Sequence, residues 1–85
     1  MEFFYALKKY KEAIVNYDKA IELQPDYIEA LYNRACSYSL MKNKAEMLNS
    51  LKKAIELYPK FKADAPKDPD FKDYWEDPDF KKITE

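Results

Sequence analysis

A seven-residue pattern occurs twice in this sequence, and it constrains the fold more than any other feature. Residues 19–25 read Lys-Ala-Ile-Glu-Leu-Gln-Pro, and residues 53–59 read Lys-Ala-Ile-Glu-Leu-Tyr-Pro, thirty-four positions later. Proline has no amide hydrogen to donate and restricts the residue before it, so each copy marks the end of a helix. A period of thirty-four residues predicts two copies of one helix-pair unit.

Composition limits the chain to one small domain and argues against several functional classes. The 85 residues carry a formal net charge of -1, whereas a nucleic-acid-binding protein usually has a basic patch. Histidine and glycine are both absent, so the usual zinc sites, Ser-His triads and phosphate-binding loops lack their residues. We therefore predict a protein that is not an enzyme and that has no cofactor and no metal site.

The sequence also predicts a cytoplasmic location. No apolar run approaches the length of a membrane span, and the single cysteine, Cys36, cannot form an internal disulfide. Lys8 and Lys9 follow the apolar N-terminal residues, which is the reverse of a secretory signal. We expect a protein or peptide partner, and neither nucleic acid nor membrane.

Apolar spacing predicts an all-α fold, an α-α superhelix of antiparallel helix hairpins with a short C-terminal helical cap. The predicted segments are the last turns of a helix at 2–7, a turn at Lys8 and Lys9, and helices at 10–24, 27–40 and 44–58. Their expected packing positions include Ala13, Ile14, Tyr17, Ala20 and Ile21, then Ile28, Leu31, Ala35 and Tyr38, then Met47, Leu48, Leu51, Ala54 and Ile55.

Two polar residues have the spacing of helix caps. Asp26 precedes Glu29 by three residues, and Asn43 precedes Glu46 by three, so both pairs can form capping boxes. The sequence therefore predicts that Asp26 and Asn43 begin the helices that follow them.

The tail after Pro59 contains Asp-Pro-Asp-Phe twice, at 68–71 and at 77–80. Aspartate suits an N-cap and proline suits the first helical position, so we predict short helices at 69–75 and 78–83. Their apolar side chains should cover the open end of the second unit, as a stacked array requires. The covering residues are expected to be Phe71, Tyr74, Trp75, Phe80 and Ile83.

These patterns resemble the tetratricopeptide repeat family, whose signature is roughly Trp-x2-Leu-Gly-x2-Tyr, then Ala-x3-Phe, then Ala and Pro. The matching positions are Leu31, Arg34, Ala35, Tyr38, Met47, Leu51, Ala54 and Pro59 in the second unit, and Phe4, Ala13, Tyr17, Ala20 and Pro25 in the first. Leu31, Arg34 and Met47 depart from the signature. The second unit also has Lys44 at the position where the first unit has the aromatic residue Tyr10. The resemblance implies a truncated first repeat at 1–25, a second repeat at 26–59 and a capping tail at 60–85. It also implies that the chain is the C-terminal portion of a short bacterial-type array.

The resemblance further implies a concave groove that binds a peptide or a partner helix. The groove positions are Tyr5, Glu29, Tyr32, Asn33, Cys36 and Ser39. Asn33 matches the asparagine with which some members of the family clamp a peptide carboxylate. Such a clamp also needs convergent basic residues from neighbouring helices, which this chain does not supply, so we do not expect one.

Self-association is the alternative function that the sequence leaves open. The first helix is incomplete, so its apolar residues would lack a packing layer unless another copy supplied one. About three repeats are generally needed to bury a continuous core, which favours a homodimer or a domain-swapped assembly through the N-terminal edge. The residues concerned are Phe3, Phe4, Leu7, Ile14 and Tyr17.

Overall fold

The computed structural model describes the backbone of residues 2–85 and the side chains of residues 6–85. Its α-helices are α1 (Glu2–Leu23), α2 (Ile28–Leu40), α3 (Lys44–Leu57), α4 (Phe61–Asp64) and α5 (Pro78–Thr84), and between α4 and α5 lie two 3-10 helices, η1 (Ala65–Lys67) and η2 (Pro69–Tyr74). No β-strand occurs between residues 2 and 85. The predicted all-α fold is confirmed.

Helix α2 is the central element because it packs against α1, α3 and η2. Short turns join it to both long helices and make it antiparallel to each of them. In the first turn the Tyr27 amide donates to the Gln24 carbonyl at 3.0 Å. In the second turn Lys42 has a φ of 64°, and the Asn43 amide donates to the Tyr38 carbonyl at 2.9 Å.

The predicted turn at Lys8 and Lys9 is wrong, because α1 continues through both residues. The chain from Ala6 to Lys11 contains neither proline nor glycine, and its alanine, leucine and lysines favour helix. Lysine also offers no side-chain oxygen that could accept a hydrogen bond from the orphan amides of a new helix. Nothing local therefore ends the helix at this point.

One predicted cap is confirmed and the other is wrong. The Asn43 side chain accepts a hydrogen bond from the Glu46 amide at 3.3 Å, as the capping-box spacing predicts. Asp26 instead lies within the turn after Pro25, and Tyr27 occupies the N-cap position of α2 without a side-chain hydrogen bond. The turn thus moves the start of α2 one residue beyond the position that Asp26 could cap.

The hydrophobic core lies between α2, α3 and the tail. Its buried members are Ala35, Cys36, Met47, Leu51, Ile55, Ala65, Phe71 and Phe80. Tyr74, Trp75 and Ile83 pack against this cluster, so the predicted aromatic cover of the second unit is confirmed. On the other side of α2, Ile14 of α1 is buried, whereas Tyr17 is only half-buried.

Each Asp-Pro-Asp-Phe copy begins a short helix and buries its phenylalanine. Asp68 accepts from the Asp70 amide at 3.0 Å, and Asp77 accepts from the Asp79 amide at 2.9 Å. The first copy forms the 3-10 helix η2, and the second forms the α-helix α5. Both predicted caps are confirmed, and the repeated motif explains how a proline-rich tail holds two aromatic side chains in the core.

Candidate functional site

Three of the six predicted groove residues lie beneath the chain's own tail. Tyr32, Cys36 and Ser39 follow each other at helical spacing on one face of α2, and η2 packs on this helix. Cys36 and Ser39 are buried, and Tyr32 is half-buried. We call the segment 68–74, which consists of η2 and its N-cap Asp68, the groove strap.

Polar contacts fix the groove strap to α2. The Tyr32 hydroxyl donates a hydrogen bond to Asp68 Oδ2 at 2.7 Å, and Ser39 Oγ donates to the Asp70 carbonyl at 2.6 Å. Ser39 is 1% exposed, so its hydroxyl would be an unpaired buried group without this partner. The Ser39 side chain therefore helps to hold the strap on α2.

Cys36 belongs to the same group of polar contacts. One ligand-type atom from each of Cys36, Asp68 and Asp70 lies within 4.8 Å of the other two. Burial raises the pKa of the Cys36 thiol, and the charges of Asp68 and Asp70 raise it further. Burial also raises the pKa of Asp70, and the charge of Asp68 raises it further. A thiol held in its protonated form is a poor nucleophile, so Cys36 acts here as a packing residue of the core.

A chain of aromatic rings runs from the surface into the core beside these contacts. Tyr58 meets Phe61 edge-on with ring centroids 5.0 Å apart, and Phe61 stacks on Tyr32 at 4.3 Å. Tyr32 then meets Phe71 at 5.6 Å, and Phe71 lies 5.6 Å from Phe80. Tyr58 is 39% exposed and Phe71 is fully buried, so the ring chain links an accessible edge to the interior.

The other predicted groove residues stand apart from the strap. Glu29 and Asn33, one helical turn from each other, are exposed on the N-terminal half of α2. They are the exposed residues of that helix, and Tyr32 lies between them in sequence. Tyr5 lies outside the described side chains. The structure thus brings Tyr32, Cys36 and Ser39 together under the strap and leaves Glu29 and Asn33 open to a partner.

The residues that hold the tail in place were not predicted from the sequence. Lys44, at the start of α3, forms ion pairs with Asp77 at 2.8 Å and with Asp79 at 2.9 Å. Lys42 pairs with Asp73. The repeated motif indicated that Asp77 caps a helix, but no local signal in the sequence indicated which lysine it would meet.

The tail contains one buried indole nitrogen, that of Trp75. Trp75 Nε1 is buried without a hydrogen-bond partner among the described residues. The rest of the side chain packs against the core cluster. This side chain is the chain's single tryptophan, and it therefore reports on whether the tail is docked.

Comparisons with known protein families agree with this architecture. A model of the TPR repeat matches residues 3–41, and a model of the tetratricopeptide repeat matches residues 28–61. The two matches overlap and together cover residues 3–61, the part of the chain that holds the antiparallel helices α1, α2 and α3, and this family is a class of protein-interaction repeat. The chain belongs to the tetratricopeptide repeat family. Where the repeats end and the tail begins stays a prediction.

Curated relatives carry the same repeat within much longer proteins. The protein STIP1 homolog of Dictyostelium discoideum is 38% identical over 60 residues, which cover 71% of this chain and 11% of that protein. Hsp70-Hsp90 organizing protein 3 of Arabidopsis thaliana is 38% identical over 58 residues, covering 68% of this chain and 10% of that protein. Human mitochondrial import receptor subunit TOM70 is 40% identical over 48 residues, which cover 56% of this chain and 8% of that protein. The chain thus spans about a tenth of the length of these relatives.

The comparisons support a protein-protein interaction module. The family and its relatives point to a non-catalytic interaction domain. No solved structure gave a significant match. Among the described helices, none combines the length and apolar character needed to cross a bilayer.

Proposed function

We propose that this chain binds a peptide segment of a partner protein on the exposed N-terminal half of the α2 groove face. The proposal rests on one observation: the strap covers the C-terminal half of that face and leaves the N-terminal half exposed. Glu29 and Asn33 are exposed, whereas Cys36 and Ser39 are buried under η2. The accessible surface therefore consists of Glu29, Asn33 and the neighbouring ring edges of Tyr32 and Tyr58, and it offers both polar and aromatic contacts.

The charges around this surface favour a basic peptide. Burial raises the pKa of the Tyr32 hydroxyl most, and the hydrogen bond to Asp68 and the charges of Asp68 and Asp64 raise it further, so these two carboxylates lie near that side chain. Glu29 adds an exposed carboxylate on α2. A lysine or arginine of a partner could pair with Glu29 and lie over the ring of Tyr58, a favourable place for a cation.

The same charges argue against a clamp for a peptide carboxylate. Asn33 is exposed and could hydrogen-bond a peptide backbone, but Asp64 and Asp68 would repel a terminal carboxylate near Tyr32. Two of the relatives are named as Hsp70-Hsp90 organizing proteins, and three are named as a mitochondrial import receptor subunit. Recognition of a chaperone or of an imported protein by this chain would be a further step of the same proposal.

A pair of synthetic peptides tests the charge preference directly. The peptides share their apolar residues and amidated ends, and they differ only in having lysine or glutamate at the remaining positions. Fluorescence anisotropy should show tighter binding of the lysine peptide, and added salt should weaken that binding because exposed charges are screened. Equal affinity for both peptides, or preference for the glutamate peptide, would contradict the proposal.

A matched variant locates the surface. Glu29→Lys reverses one charge on α2 and should weaken binding of the lysine peptide by about tenfold, the effect of about 1.4 kcal/mol. Glu56→Lys makes the same change at an exposed position of α3 and should leave the affinity unchanged. Tyr32 is unsuitable for this purpose, since its contacts with Asp68 and Phe61 also stabilise the fold. Equal weakening by both variants would remove the α2 surface from the proposal.

A cytoplasmic location stays a prediction. Self-association, the alternative function expected from the sequence, receives no support from the family match or from the names of the relatives.

A further inference from the structure

The groove strap contacts the C-terminal half of the α2 face in the way that a bound segment would. The Asp68 carboxylate accepts a hydrogen bond from the Tyr32 hydroxyl at 2.7 Å, and the Asp70 carbonyl accepts one from Ser39 Oγ at 2.6 Å. The ring of Phe71 is fully buried and lies edge-on to Tyr32, with centroids 5.6 Å apart. One carboxylate, one backbone carbonyl and one phenyl ring therefore make these contacts.

A four-residue motif supplies all three of these groups. The Asp68 side chain also accepts from the Asp70 amide at 3.0 Å, which begins η2 and sets the direction of the segment. Pro69 is exposed and occupies the first helical position, where proline favours the required φ. The second copy of the motif, at 77–80, also begins a helix with its aspartate as the cap. The conformation therefore belongs to the sequence Asp-Pro-x-Phe rather than to one place in the fold.

The strap fits this face imperfectly because the third residue of its motif is charged. One carboxylate oxygen each from Asp68 and Asp70 and the sulfur of Cys36 lie within 4.8 Å of one another. Both aspartates are half-buried, and neither forms an ion pair with any of residues 6–85. Burial raises the pKa of Asp70, and the charge of Asp68 raises it further. An uncharged residue in place of Asp70 would keep the carbonyl contact and remove the repulsion between two like charges.

The other features of the strap make it easier to displace than an α-helix. Its helix η2 has six residues in the 3-10 conformation, whose hydrogen bonds are poorer and whose runs are usually shorter. Its ion pair between Asp73 and Lys42 joins two exposed side chains, and such pairs contribute little. The main support is the buried ring of Phe71, which a ligand with the same motif would replace when it takes the place of the strap.

We propose that the strap-covered half of the α2 groove face binds an Asp-Pro-x-Phe segment of a partner protein, with x uncharged, and that this segment displaces the strap. The partner's aspartate would accept from Tyr32, the carbonyl of x would accept from Ser39, and the phenylalanine would fill the space of Phe71. The charge beside Tyr32 stays the same, because the partner's aspartate replaces Asp68. This site and ligand differ from the exposed half and its basic peptide, so either proposal can fail without the other.

The strap acts in this proposal as a tethered competitor, which sets the affinity that can be expected. A segment on a short tether has an effective concentration on the order of millimolar, so a free peptide with the strap's own sequence should half-saturate the wild type only at about 1 mM or above. A substitution that weakens only the strap should tighten binding of the free peptide. A substitution that improves only the free peptide should do the same.

A series of labelled peptides with the sequence of residues 66–74 and blocked ends tests the ligand. Fluorescence anisotropy should show that the peptide with Asp70→Asn binds the wild-type chain several times more tightly than the unchanged peptide. The peptide with Asp73→Asn has the same net charge and is the matched control, since Asp73 contacts only the exposed Lys42, and it should not bind more tightly. The peptide with Phe71→Ala should not bind. Equal affinity of the Asp70→Asn and Phe71→Ala peptides, or equal tightening by Asp70→Asn and Asp73→Asn, would overturn the proposal.

Two matched variants of the protein test the displacement. Phe71→Leu weakens the strap and should tighten binding of the Asp70→Asn peptide by about tenfold. Phe80→Leu makes the same change in the second copy of the motif, at an equally buried ring on α5, which packs against α3 and α4, and should leave the affinity unchanged. If Phe71→Leu does not fold, Pro69→Gly provides the test, because it loosens the strap at an exposed residue and should also tighten binding.

Trp75 fluorescence shows whether the strap leaves α2. This residue is the C-cap of η2, and residues 66–74 contain no tryptophan, so only the protein contributes to the signal. Its emission should shift to longer wavelength as the peptide saturates the chain, because the indole becomes exposed when the strap is displaced. Binding without a change in emission would overturn the proposal, as would equal tightening by Phe71→Leu and Phe80→Leu. Absence of binding of the Asp70→Asn peptide to a folded strap variant at about 1 mM, the effective concentration of the strap, would also overturn it.

Discussion

The two repeats have the same apolar frame, but their helices are buried to different extents. Leu51 and Ala54 of α3 are fully buried, whereas Tyr17 and Ala20, at the equivalent positions of α1, are half-buried. Helix α3 is covered by α2 and by tail segments, while α1 packs mainly against α2. In a repeat protein the burial of a helix is thus decided by its neighbours as much as by its own sequence.

The largest effect should come from replacing Phe71, a buried side chain of the tail that packs against the second repeat. Phe71 is fully buried and contacts the rings of Tyr32 and Phe80, so Phe71→Ala should lower the free energy of unfolding by about 3–5 kcal/mol. Urea titration followed by Trp75 fluorescence measures the change. Val15→Ala, on a half-exposed position of α1, should cost little. A similar loss for both variants would mean that the tail is not the main support of the core.

A pair of equivalent positions sharpens the comparison between the repeats. Leu51→Ala should lower the free energy of unfolding by about 2–5 kcal/mol, because the side chain is fully buried. Tyr17→Ala should cost about 1 kcal/mol, as expected for a partly exposed site. Chemical denaturation at low protein concentration, where association is negligible, gives both values. Equal costs would contradict the open first repeat.

The apolar periodicity predicted the helices and most of the core because burial follows the 3.6-residue period directly. It could not distinguish a turn at Lys8 and Lys9 from a straight helix, since both conformations leave the same apolar stripe. The spacing of Asp26 and Glu29 also failed to predict that Asp26 lies within a turn, because this spacing carries no information on how tightly the chain bends after Pro25. Local sequence patterns alone therefore do not determine where these two turns and helices begin.

The candidate site was predicted only in part, for a different reason. The positions on α2 follow from the family frame, so Glu29, Asn33 and Tyr32 could be named in advance. That Cys36 and Ser39 would lie beneath the strap depends on contacts with Asp70, more than thirty residues away. Such contacts are set by the packing of the whole tail, and a single sequence does not encode them in any local pattern. The binding role of all these residues stays a prediction.

The hydrogen bond between the strap and α2 should make a smaller contribution than either buried side chain. Tyr32→Phe keeps the ring stacked on Phe61 and removes only the hydroxyl that donates to Asp68 at 2.7 Å. The loss should be about 1 kcal/mol, the usual net value of one hydrogen bond. Tyr58→Phe, at an exposed tyrosine, is the control in thermal unfolding and should change stability little. Equal changes would show that the hydroxyl of Tyr32 does not hold the strap.

The smallest effect concerns the acid sensitivity of the tail. A hydrogen bond from Lys44 lowers the pKa of Asp77, and hydrogen bonds from the Phe80 and Asp79 amides lower it further. A carboxyl whose pKa is lower in the folded chain stabilises the fold above its unfolded pKa, and this contribution is lost as pH falls through the folded value. Stability should therefore decline below about pH 4, the ordinary range of an aspartate.

Asp77→Asn isolates that contribution, because asparagine caps a helix about as well as aspartate but carries no charge. The variant should unfold at a slightly lower temperature than the wild type at neutral pH, and the difference should shrink toward pH 3 as the wild-type carboxyl becomes protonated. Asp26→Asn, at an exposed aspartate in the first turn, should leave the pH profile unchanged. The effect should be small because the pair with Lys44 is accessible to solvent, where ion pairs contribute little. If the Asp77→Asn difference persists unchanged at pH 3, the charge of Asp77 does not account for it, and the ion pair with Lys44 does not stabilise the tail.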